Sequence, residues 1–321
     1  MHLAVYLPLL VPLAAALSAG RLAGRLDPRL ATWLLTCSAV LLAAATATVL
    51  SLLVVAGLVQ IPLIAGFGKL SLQVLRRDDP PSTAVALVAA IALCVAVAAA
   101  VRMAWRRVRA LLVAAGQARC LPGTGELVII DDDTVAEAFT VPGRPGRIVV
   151  STGMLAALHE GERAVLLAHE RAHLRSHHHW FTAATQLAAA TNPLLRPLAR
   201  AVTFTIERWA DEAAASACGD RRLVARTIAR AAMAKASAAR SAVAAAERAA
   251  GLALGVTGHP SEIADLSDAG PVPRRVAALL AAPPQRRLTL VIGVAIVLAA
   301  TGMCTLDALR DLHDLLETAS V

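Results

Sequence analysis

Apolar residues follow two different patterns along this chain. Four stretches, residues 1–20, 30–68, 80–101 and 288–306, carry no side chain of formal charge at their cores. A helix crossing a bilayer takes about 20 such residues. The spacing predicts membrane spans at 1–20, 31–57, 80–101 and 288–306. Between the third and fourth, apolar positions become periodic. Residues 127–130 and 147–150 are short β-branched runs, and the Pro-Gly-Arg-Pro-Gly text at 142–146 is turn chemistry between them. A small antiparallel sheet is expected there. From Ser151 and Thr152 onward the period is helical: a short helix over 153–158, a longer one from about Gly161, and an alanine-rich helix over 222–255. The predicted fold class is mainly α: four transmembrane helices, an inserted α+β domain at 102–287, and a short tail at 307–321.

Composition agrees with that division. Hydrophobic residues make up 57%, aromatics 3% and charged residues 17% of the chain, where a soluble globular domain carries about 25% charge. The net charge of +8 belongs to 102–287, which holds 24 basic and 16 acidic residues against seven of each elsewhere. No basic run is interleaved with aromatics, so a nucleic-acid partner is not expected. Cys37, Cys94, Cys120, Cys218 and Cys304 are odd in number and form no CxxC, which points away from a disulfide framework. Arg21, Arg25 and Arg29 follow the first span rather than precede it, unlike a signal peptide. Together with Arg102, Arg106, Arg107, Arg109, Arg286 and Arg287 they lie on one side if the N-terminus is outside. Lys69, Arg76 and Arg77, offset by Asp78 and Asp79, count slightly against this. The expectation is a multi-pass membrane protein with 102–287 in the cytoplasm and both termini outside.

The candidate chemistry is in the second helix of the soluble part. His169-Glu170-Arg171-Ala172-His173 places two imidazoles one helical turn apart on one face, where both can meet one zinc ion. Glu170 beside the first ligand can serve as general base toward water. Residue frequencies give roughly 0.008 chance matches to this motif over the chain, so coincidence is a poor account of it. A hydrolytic zinc needs a third protein ligand. Glu207 offers one, and Asp211, one turn on, can accept the remaining N–H of a ligating histidine. The Asp131-Asp132-Asp133 run reads as a solvated loop. His177, His178 and His179 read as a polar helix end, since His177 lies two turns from His169, about 12 Å along the axis. The only tyrosine, Tyr6, lies in the first span. Candidates for stabilising an oxyanion are therefore His259, Arg274 or Arg275, and backbone N–H groups.

HExxH followed by ExxAD on a later helix resembles the gluzincin membrane peptidases, both the BlaR/MecR-type antirepressor metallopeptidases and the HtpX/Ste-type membrane proteases. Ala138-Phe139, Val141-Pro142-Gly143 and the strand text at 148–153 are similar to what precedes the zinc helix in those families. Gly258-His259-Pro260 followed by Arg275-Val276 and Leu279 resembles their late HP…RV..L segment, at a longer spacing. Glu137 departs from the Asn usual in the HtpX/Ste group. The resemblance implies a membrane zinc endopeptidase, with His169, His173 and Glu207 on the metal, Glu170 and His259 catalytic, and Ala138, Phe139 and Thr140 receiving an extended peptide by strand addition. Three spans before the zinc domain and one after resemble the BlaR/MecR layout. With 15 residues after the last span, no penicillin-sensor domain is expected there. The implied partners are a protein or peptide substrate, the lipid bilayer, and a repressor or sensor protein. The rival functions are membrane-protein quality control and, from another class, a zinc-binding signalling scaffold without turnover. A transporter would place acidic or basic residues within the spans, and these have no Asp, Glu, Lys or Arg.

Overall fold

A computed structural model describes residues 7–62, 82–120, 125–143, 146–254, 271–282 and 287–319. These group into two compact units. One comprises Met1–Arg109, Trp180–Thr205 and Gln285–Val321, and the other Ala110–His179 and Ile206–Pro284. The compact units divide the chain differently from a single insert at 102–287, because residues 180–205 group with the apolar helices.

In the first unit, α1 (Leu7–Arg25), α2 (Pro28–Leu58), α3 (Thr83–Cys120, of which the part up to Arg109 belongs here) and α10 (Leu288–Ala319) are, among the described residues, the four helices long and apolar enough to cross a membrane. Asp27 stops α1 and starts α2: its carboxylate accepts from the Leu30 N–H at 3.0 Å, and Pro28 occupies the first turn, where its missing N–H costs nothing. The buried stripe of α2 includes Leu35, Leu42, Val49 and Leu52, and it packs against α1 and α10. Both α3 and α10 run past the ends expected from hydropathy. The segment 307–319 continues α10 as helix rather than forming a separate tail. The unit also holds α6 (His178–Thr191) from Trp180 onward, a 3-10 turn at Pro193–Leu195, and the start of α7 (Arg196–Cys218).

The second unit contains β1 (Leu127–Ile130), β2 (Ala138–Val141) and β3 (Arg147–Ser151), in the order β1-β3-β2. The β2–β3 pair is antiparallel, as the 142–146 turn predicts. β1 runs parallel to β3, which corrects the expected antiparallel sheet to a mixed one. β3 reads Ile148-Val149-Val150 and is apolar on both faces. Ile148 and Val150 pack with Met154, Leu158 and Leu166, while Val149 packs with Val128 and Val141. A strand buried on both sides belongs in the centre, so β3 inserts between the two strands that precede it. β2 is left at an edge.

The strand-to-helix transition is set by Ser151. Its hydroxyl donates to the Val135 carbonyl at 2.6 Å and accepts from the Met154 N–H at 3.2 Å, capping α4 (Thr152–Ala157). Gly153 is required beside it. A Cβ there would sit 2.5 Å from the Val135 carbonyl oxygen and 2.8 Å from that of Asp133, both backbone atoms. The 131–133 run is a turn in which Asp132 accepts from the Thr134 hydroxyl at 2.6 Å, in line with a solvated loop.

The remaining elements are α5 (Glu160–Arg175), the C-terminal part of α7, α8 (Arg221–Leu254) and α9 (Pro271–Leu280). Val165 of α5 packs with Ala214, Val224 and Leu279 from the other three helices. Gly219 ends α7 at φ +71, the left-handed conformation that glycine adopts without steric cost.

Candidate metal centre

Helix α5 presents His169 and His173 on one face, as the i, i+4 spacing requires. Their Nε2 atoms lie 3.1 Å apart. Helix α7 brings Glu207 to the same point, with its carboxylate oxygens 3.6 Å from the Nε2 of each histidine. One donor atom from each of the three residues falls within a 4.8 Å group. Asp211, one turn after Glu207, places Oδ1 3.0 Å from the Nδ1 of His169. The Asp211 carboxylate beside Nδ1 favours a proton on that nitrogen, so Nε2, which lies toward His173 and Glu207, is the atom that can exchange its own proton for a metal.

Two contacts on the far side of the cluster were not legible in the sequence. His178 is buried, and its Nδ1 lies 2.9 Å from the Nδ1 of His173. It is therefore not part of a polar helix end. Its ring lies against Trp209 at a centroid distance of 4.7 Å. Helix α5 stops at Arg175, and His177 takes φ 51, the left-handed region. A continuous helix would carry residue 178 about 140° around from 173, whereas the break returns it to the same side. For His173 to offer Nε2 to a metal, its Nδ1–H must donate to His178. We expect His178→Ala to weaken zinc binding about 10–100-fold, as for other groups that orient a metal ligand. A chelator-competition titration giving an unchanged Kd would remove His178 from that role.

The second contact is Arg275 of α9. It donates to Asp211 at 2.8 and 2.6 Å and forms an ion pair with Glu207 at 2.9 Å. The guanidinium fork thus holds both acidic residues of α7 in place. α9 is anchored in turn by Arg221. That side chain donates to the Leu279 and Ala278 carbonyls at 2.9 and 3.1 Å and pairs with Glu212. Arg275, an oxyanion candidate by sequence, instead gives its polar contacts to the two carboxylates. His259, with Gly258 and Pro260, lies outside the described residues.

The electrostatics favour a cation at the convergence point. Burial opposes protonation of His169, yet Asp211 and Glu207 raise it to about 10. Burial and the charge on His169 hold His173 down to about 4. Burial and the neighbouring His173 hold His178 down to about 3. Burial works against ionisation of Glu207 and Asp211, but His169 and Arg275 keep both carboxyls below their ordinary values. Two nitrogens and a carboxylate are a donor set that suits zinc. Two nitrogens sharing a tetrahedral zinc stand about 3.3 Å apart, close to the 3.1 Å found here. The residues present therefore fit that ion.

Glu170 is buried beside His169, and burial pushes its carboxyl above the ordinary range, with the charge on His169 opposing. It lines a cavity of about 220 Å³ whose wall also takes Ala138 from the edge strand, Met154, Leu166, Ile228 and Arg275. Phe139 and Thr140 continue the same strand. A family comparison matches peptidase family M48 over residues 102–282. No curated protein and no solved structure matches the chain.

Proposed function

Because the chain belongs to peptidase family M48, we propose that it is a membrane-integral zinc endopeptidase acting on cytoplasmic or membrane-proximal proteins. The observation that carries this reading is the convergence of His169, His173 and Glu207 beside a buried carboxylate, Glu170, on the wall of a cavity. A purely structural metal site has no use for that carboxylate.

Zinc held by the three ligands supplies Lewis acidity toward a peptide carbonyl and toward water. The protein's own residues do the rest. The Glu170 carboxylate accepts a proton as the water oxygen adds to the carbonyl carbon. It returns that proton to the amide nitrogen as the C–N bond breaks, so the products are a carboxylate and an amine. Asp211 holds the proton on Nδ1 of His169. Arg275 keeps Glu207 and Asp211 ionised and fixed. Ala138, Phe139 and Thr140 present an edge strand along which a peptide can lie extended. The implied role is regulated proteolysis, following the layout of three spans before the catalytic residues and one after. Purified full-length chain should hydrolyse peptides from a whole-cell lysate, lose that activity on chelation and regain it with added zinc. Turnover that survives complete metal removal would exclude the mechanism.

We also propose that the catalytic residues face the cytoplasm and that both termini lie outside, on the distribution of arginines. Reporter fusions at Gly125 and at Val321 should report opposite sides. The same side for both would mean that α10 does not cross.

A further inference from the structure

The first unit contains a second cavity, of about 380 Å³, lined by Arg102 and Arg106 of α3 and by Arg196 and Arg200 of α7. Each pair is spaced i, i+4, so each helix brings two arginines to the cavity wall from one face. Among the described residues none of the four makes an ion pair. Like charges one turn apart destabilise a helix, and arginines at the start of α7 also oppose its dipole. Four unneutralised arginines around one cavity create a strong demand for an anion. Gln186, whose side-chain oxygen accepts from Arg107, keeps its NH2 group as a neutral donor suited to phosphate oxygens.

The position of the cavity names the source of the anion. Arg102 is the first charged residue after the apolar run of α3, and Val95, Val97 and Val101 just before it are exposed. Trp105, one turn beyond Val101, is exposed as well, as is common at a membrane–water boundary. An acyl chain could lie along the valines while its head meets the arginines. We propose that this cavity binds the phosphate head of an anionic membrane lipid. The proposal does not depend on peptidase activity.

The test uses full-length chain in nanodiscs of phosphatidylcholine alone or of phosphatidylcholine with phosphatidylglycerol. Retained phosphatidylglycerol per protein is read by native mass spectrometry, and thermal stability is measured alongside. The wild-type protein should retain phosphatidylglycerol and melt at a higher temperature in the mixed lipid. Arg196→Gln/Arg200→Gln should cut retention roughly tenfold or more, given about fivefold per basic side chain at an anionic surface. Arg102→Gln/Arg106→Gln, altering the opposite wall, should do the same. A control, Arg222→Gln/Arg240→Gln on α8, removes equal charge elsewhere and should retain the lipid. Equal retention in all variants, or equal loss in the control, would overturn the proposal. So would inorganic phosphate in phosphatidylcholine nanodiscs reproducing the whole stabilisation, since the ligand would then be a soluble anion.

Discussion

Glu170→Gln should leave zinc content and folding near wild type while peptide hydrolysis falls by about 10²–10⁴-fold, the range for losing a general base. The substitution preserves side-chain size and helix propensity. Glu170 follows His169 directly and so points about 100° around the helix from it. That direction takes it to the cavity rather than to the point where His169, His173 and Glu207 converge. Burial, which raises the carboxyl, also makes it a stronger base once ionised. The measurement is kcat on a peptide substrate together with metal analysis of the same preparation. A zinc-binding scaffold without turnover predicts a different result, because its zinc still binds. Full activity or full complementation in cells by Glu170→Gln with its zinc intact would sink the peptidase reading.

Glu207→Ala should lower zinc affinity by more than Asp211→Ala, for which about 10–100-fold is expected of a group that only orients a ligand. Glu207 contributes a donor oxygen at the convergence point, whereas Asp211 acts through Nδ1 of His169. Removing Glu207 also leaves Arg275 with less negative charge to balance it, and an unbalanced guanidinium disfavours a metal cation. Arg275 retains its paired bonds to Asp211, so α9 should remain docked in the Glu207→Ala protein. Circular dichroism and a metal titration on both variants separate loss of a ligand from loss of the fold. Normal zinc binding by an inactive Glu207→Ala protein would mean that the third ligand is another residue.

Several parts of this protein could be read directly from the chain, because they depend on short-range repetition. The four apolar helices follow from runs of uncharged residues. The i, i+4 pairing of His169 with His173 follows from helix geometry alone, as does the placement of Asp211 one turn after Glu207. The alanine-rich α8 follows from propensity. The hairpin of β2 and β3 follows from its turn residues.

The rest depended on contacts between distant segments. Whether β1 pairs with β2 or β3 is decided by which strand must be buried on both faces, and β3 wins through Ile148, Val149 and Val150. His178 enters the site only because His177 takes a left-handed conformation that no periodic pattern announces. Arg275 reaches Asp211 and Glu207 across 64 residues of sequence separation in the first case, held there by the anchoring of α9 on Arg221. The four arginines of the second cavity lie on helices separated by most of the catalytic motif, and their shared need for an anion exists only once α3 and α7 face each other. Local periodicity specifies which face of an element is buried; the partner that buries it, and the charges brought together there, are chosen by packing across the whole fold.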